Sequence, residues 1–110
     1  MFRYINNLPG NSKVLYIGNS MDLINKIKKL NAILFVYTSD IIKGVPRIKI
    51  YDDIFKHKFD YIIHEKFTHD YYINNYHKLI DYHKILNDNG CILSYINKNT
   101  TCNEFNNVFK

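Results

Sequence analysis

The chain has 110 residues, enough for one small domain and too few for a second core. Hydrophobic residues make up 46% of it and charged residues 23%, with only 4 Gly and 2 Pro, a balance that excludes disordered, collagen-like and linker sequences. The net charge of +5 favours anionic partners, while two cysteines, Cys91 and Cys102, are too few for a disulfide scaffold or a self-contained zinc site.

No apolar run approaches the roughly 20 residues that a bilayer-spanning helix needs. Met1-Phe2-Arg3-Tyr4 also lacks the apolar stretch of a secretory signal, so the expectation is a cytoplasmic protein with no membrane contact. The charge argument has a competitor. Ile, Asn, Lys and Tyr dominate, and an AT-rich coding sequence produces that bias without any selection for a basic surface.

In chain order, Leu8-Pro9-Gly10-Asn11-Ser12 is a turn cluster that delays regular structure. Lys13-Val14-Leu15-Tyr16-Ile17 is a β-branched and aromatic run that stops at Gly18-Asn19-Ser20, as a buried strand does. From Met21 the apolar period lengthens. Leu23, Ile27 and Leu30, with Ile24 beside them, predict an amphipathic helix of about three turns. Asn19 or Ser20 can cap it, Asp22 suits its first turn, and Lys26, Lys28 and Lys29 suit its far end. Ala32–Tyr37 is a second strand, apolar on both faces as a parallel strand covered by helices would be.

Gly44-Val45-Pro46 punctuates the next stretch, and Arg47–Tyr51 alternates polar with apolar like a half-exposed edge strand. About ten residues join these two strands, so a parallel connection there must be short or irregular. Asp52-Asp53 closes the third strand, and Phe59–His64 forms a fourth after Lys56-His57-Lys58. Tyr72, Tyr76, Leu79, His83 and Leu86, widened by Ile73 and Ile80, predict a longer helix with His83 in its core stripe. Asn87-Asp88-Asn89-Gly90 stops that helix, Cys91–Ile96 is a fifth strand, and one short helix is expected around Glu104 to Phe109.

This alternation predicts an α/β layered sheet. Residues 59 to 96 resemble the second half of the class I S-adenosylmethionine-dependent methyltransferases, through Phe59-Asp60 at the fourth strand and the helix-to-strand element Leu79–Ser94. Val14-Leu15-Tyr16-Ile17-Gly18 resembles the first strand and glycine turn of that family, and Tyr51-Asp52-Asp53 its acidic stop after the third strand. The resemblance covers residues 13 to 96. It implies a three-layer Rossmann-like sandwich with a mostly parallel sheet of about five strands, in a single truncated domain spanning residues 1 to 110.

The resemblance also assigns roles. S-adenosylmethionine would be the cofactor, held by Gly18, Asn19 and Ser20 at the glycine turn and by Asp52 or Asp53 at the adenine amino group. The acid that holds the ribose would fall at Tyr37, with Asp40 three residues later. His64 and Glu65 stand where the family places catalytic and substrate-side groups. The pattern departs from the family at the turn itself: Gly18 is the only glycine there, Ser20 and Asp22 stand where further glycines would fall, and Tyr16 replaces the acid.

No metal site is expected, because His64 and His69 are five apart whereas a helical zinc pair needs a spacing of four. Neither a nucleophile elbow nor a P-loop occurs. Two function classes follow: a methyl-transferring enzyme acting on an anionic substrate such as RNA, or an inactive pseudo-methyltransferase serving as a binding or regulatory subunit. A general nucleic-acid module lacks any recognisable motif. The fifth strand, left at a sheet edge, is expected to pair in a homodimer or dock on a larger partner.

Overall fold

A computed structural model of the chain describes residues 10–65 and 73–95. Its strands are β1 (Lys13–Ile17), β2 (Ile33–Tyr37), β3 (Arg47–Ile48), β4 (Phe59–Glu65) and β5 (Leu86–Tyr95). The helices are α1 (Met21–Lys28) and α2 (Tyr76–Lys84), with a 3-10 helix over Tyr51–Lys56. The five strands form one sheet in the order β3-β2-β1-β4-β5, and every pairing is parallel. This is an α/β, Rossmann-like, three-layer arrangement, with β1 at the centre and the order reversing there.

Strand alternation divides the core in two. Val14, Tyr16, Leu34, Val36, Ile63, Cys91 and Leu93 face one side, against Leu23, Ile24 and Ile27 of α1. Leu15, Ile62 and Ile92 face the other, against Ile54 of the 3-10 helix and Leu79 and Tyr82 of α2. Side chains on both faces are buried, which is why these strands read as continuous apolar runs rather than alternating ones. Full burial of Leu23, Ile24 and Ile27 is worth about 1.5 to 3 kcal/mol each, far more than the intrinsic preference of so short a helix. α1 spans eight residues, shorter than its periodicity suggests. Ser20 caps it, accepting from the Leu23 amide at 3.3 Å.

The structure changes several expectations. β3 has only two residues, because the chain leaves the sheet after Ile48 and coils into the 3-10 helix. Tyr51 and Ile54, three apart, face inward there, so Asp52 and Asp53 lie on that helix and do not end a strand. The 3-10 helix serves as the crossover to β4. Tyr51 meets Tyr37 near the carboxyl end of β2 (ring centroids 5.9 Å apart), and His57 reaches Lys13 at the start of β1.

In α2 the buried stripe runs through Leu79 and Tyr82, whereas His83 is exposed and not a core histidine. β5 begins at Leu86 rather than Cys91, and its register against β4 jumps from Phe59–Leu86 to Tyr61–Cys91. Asn87-Asp88-Asn89-Gly90 fills this bulge, with Asn89 left-handed at φ 65°. A Cβ on Gly90 would come within 2.9 Å of the Asn87 and Asp60 carbonyl oxygens, so glycine is required there by close backbone approach. Asp60 fastens this end of the sheet, accepting from the Lys13 amide at 2.8 Å and from the Asn87 side-chain amide at 3.0 Å. Tyr72, Ile96 and the expected helix around Glu104 to Phe109 lie outside the described residues.

Candidate functional site at the carboxyl rim of the sheet

In a parallel sheet of this kind, ligands bind beyond the carboxyl ends of the strands where the strand order reverses. Here that crevice lies between β1 and β4, at the Ile17-Gly18 junction. Ile17 pairs with His64 across it. Gly18, Asn19, Ser20 and Glu65 therefore meet at one point, as expected for a turn that leads into a helix.

The geometry at that point is closed. Glu65 Oε2 accepts a hydrogen bond from the Asn19 amide at 3.0 Å, and the Tyr16 hydroxyl donates to the same oxygen at 3.3 Å. The Tyr16 hydroxyl accepts in turn from the Ser20 amide at 2.9 Å. The amides of Asn19 and Ser20, in the turn just before α1, are thus satisfied by side chains of the chain itself. A carboxylate sits where backbone amides and the helix dipole favour an anion.

Gly18 does not adopt a positive φ, so its role is not a left-handed turn. A Cβ there would meet Glu65 Oε2, the Tyr16 hydroxyl at 2.6 Å and Glu65 Cβ at 2.8 Å. Glycine makes room for the Glu65 and Tyr16 side chains. That long-range closure is what the sequence does not announce; the one signal is Tyr16, standing where the family pattern has an acid.

His64 and Glu65 are consecutive in β4 and point to opposite faces. Glu65 joins Tyr16 on the α1 side, whereas the His64 ring lies 5.8 Å from that of Tyr82 on the α2 side. His64 Nδ1 is 2.9 Å from the Glu65 carbonyl oxygen. That oxygen can only accept, so Nδ1 carries the proton and the neutral ring presents Nε2 as an acceptor. Burial pushes the imidazole down to about 4, outweighing the carbonyl contact that opposes it. His64 is therefore neutral at physiological pH.

The remaining predicted residues are dispersed. Asp40 is exposed in the bend after β2, its amide donating to Thr38 Oγ1 at 3.1 Å. Asp52 is exposed, and Asp53 pairs with Lys56 at 3.0 Å on the surface of the 3-10 helix. In place of the ribose-holding acid, Tyr37 packs edge-on against Tyr51. These residues do not form a fitting cradle for S-adenosylmethionine: a ligand carboxylate at the Asn19 amide would have to displace Glu65. Among the described residues, no cluster of three or more His, Cys, Asp or Glu could hold a metal ion. His69 lies outside the described residues, and Cys91 is buried and not part of a disulfide. None of the helices described is long and apolar enough to cross a membrane.

No family model, curated protein or solved structure matches the chain.

Proposed function

We propose that this chain is a catalytically inactive, methyltransferase-like domain acting as a binding or regulatory subunit. One observation carries the reading: the Glu65 carboxylate and the Tyr16 hydroxyl occupy the amides of the β1–α1 turn. A cofactor would have to break these bonds before gaining its own, and an exchange of one carboxylate for another at the same amide yields little net free energy. The dispersal of Asp40, Asp52 and Asp53 supports the same reading, since no acid is poised at the tip of β2 for a ribose. Within this reading, β5, at one edge of the described sheet, is one strand through which self-association or docking on a larger protein takes place.

The second reading is methyl transfer to an anionic substrate such as RNA, and the placement of Glu65 beside the Gly18 turn at the carboxyl rim of the sheet favours it. Calorimetric titration of the protein with S-adenosylmethionine and S-adenosylhomocysteine separates the two. The inactive reading expects binding no tighter than millimolar in the wild type. Micromolar binding that is lost in Glu65→Ala would refute it and support the enzyme, because Glu65 would then be serving the ligand rather than excluding it.

A further inference from the structure

Among the described residues, β2 is only half covered by its outer neighbour. β3 pairs with Val36 and Tyr37 alone, where the Val36 amide donates to the Pro46 carbonyl and the Thr38 amide to the Ile48 carbonyl, both at 3.1 Å. Nearer its start the strand has a different outlook. The Ile33 amide donates to Ser12 of the β1 side at 2.8 Å, so strand alternation turns the backbone groups of Ala32 and Leu34 toward the β3 side. Continuing the ladder would require an N–H from residue 46 for the Leu34 carbonyl. That residue is proline, which has none, so β3 cannot extend down this edge.

Beside this stretch lies an open cavity of about 310 Å³, lined by Lys28, Ala32, Ile33, Leu34, Gly44 and Pro46 among others. Its lining is polar and apolar in about equal part, and Ile33 is 48% exposed. Its rim carries Lys28, whose Nζ hangs over the Gly44 turn, 3.4 Å from where a Cβ on that glycine would sit; Lys29 and Lys43, next in sequence to Lys28 and Gly44, are exposed. Among the described residues, no Asp or Glu lines the cavity. It stands at the opposite end of the sheet from Gly18.

The geometry points to a strand-addition site: an extended, acidic segment of a partner protein pairs with the Ala32–Leu34 edge, its apolar side chains on Ile33 and its carboxylates on Lys28, Lys29 and Lys43. Main-chain hydrogen bonds supply affinity in such a mode, and the pocket and charge supply selectivity. Charge decides the occupant. A second copy docked through this edge would set lysine rim against lysine rim, whereas an acidic strand is attracted. The inference rests on the reading of the chain as a binding subunit and names the partner's chemistry.

The test uses the full-length protein, labelled with 15N, and a ten-residue peptide with a Val/Thr-rich centre flanked by glutamates; its twin carries lysines in the flanks. The acidic peptide is expected to shift the amides of residues 32–34 and 44–45 and to bind more weakly as salt is added. Lys28→Glu, checked by circular dichroism to be folded, is expected to weaken binding by roughly fivefold or more. The inference is overturned by equal binding of the lysine-flanked twin, by shifts confined to β5 or the Gly18 turn, or by no shifts at all. Shifts at residues 32–34 that depend on protein concentration alone would assign the edge to a second copy and overturn it too. None of these outcomes bears on the calorimetry with S-adenosylmethionine, so failure here is distinguishable from failure of the functional reading.

Discussion

Gly18→Ala is the most informative single substitution. The new methyl would lie 2.6 Å from the Tyr16 hydroxyl and 2.8 Å from Glu65 Cβ, whereas real Cβ atoms essentially never approach within 3.0 Å. The hydroxyl and the carboxylate can swing aside, but Glu65 Cβ is fixed to the backbone of β4, so the β1–α1 turn itself must move. Overpacking of this kind costs about 1 to 3 kcal/mol. The displaced Glu65 also releases the Asn19 amide, a charge-assisted bond worth about 1 kcal/mol after allowance for its partial exposure. Together the loss is about 2 to 4 kcal/mol, a fall in Tm on the order of 10 to 20 °C for a domain of this size. Urea denaturation monitored by circular dichroism measures it. On a Glu65→Ala background the carboxylate contact is already gone, and the same substitution should cost about 1 kcal/mol less. A Gly18→Ala protein within about 0.5 kcal/mol of wild type would refute the claim that Glu65 and Tyr16 fill the space over this glycine.

Two titrations test the histidines. With the His64 imidazole held at about 4 in the fold against 6.5 when unfolded, the unfolded chain binds the extra proton first, so its contribution to stability is intact above pH 6.5 and lost as pH falls toward 4. The loss is on the order of 3 kcal/mol and should vanish in His64→Leu; an NMR midpoint near 6.5 in the folded protein would contradict it. His57 is lowered chiefly by burial and next by Lys13, whose ammonium donates to its Nδ1 at 3.1 Å, with Lys56 adding and Asp53 opposing. Lys13→Met should therefore raise the His57 titration, and an unchanged or lower midpoint would show that the lysine is not the neighbour described.

Much of the fold is legible in the chain because burial on both faces writes a plain signal. Lys13–Ile17, Ala32–Tyr37 and Phe59–His64 are dense in apolar side chains and fall within a residue of observed strands. The errors arise where neighbouring residues compete for the same role. In α2, Tyr82 and His83 are adjacent and both extend the stripe from Leu79; the structure buries the tyrosine, whose ring has more apolar surface to lose, and leaves the imidazole in solvent. Beyond Ile48, alternation suggests a strand through Tyr51, but Tyr51 and Ile54 also share a three-residue spacing, and the 3-10 helix buries Ile54 completely enough to win.

The site was legible only in part. Gly18, Asn19 and Ser20 sit where a strand-to-helix turn puts them, because that placement is local. Closure by Glu65 depends on a contact 46 residues away along the chain, which no local pattern encodes. Asp52 and Asp53 were misplaced for the same reason as β3: their position follows from where the strand ends, and that is decided by packing of Tyr51 against Tyr37 and Phe55.

The central claim, that Glu65 occupies the turn amide, is tested most directly by following the Asn19 backbone amide during an NMR pH titration. A proton donated to a carboxylate moves downfield as that carboxylate ionises. The account predicts a downfield shift of Asn19 that tracks the Glu65 side-chain titration and disappears in Glu65→Gln. An Asn19 amide that ignores the ionisation of Glu65 would mean the crevice is open, and the inactive reading would fall with it.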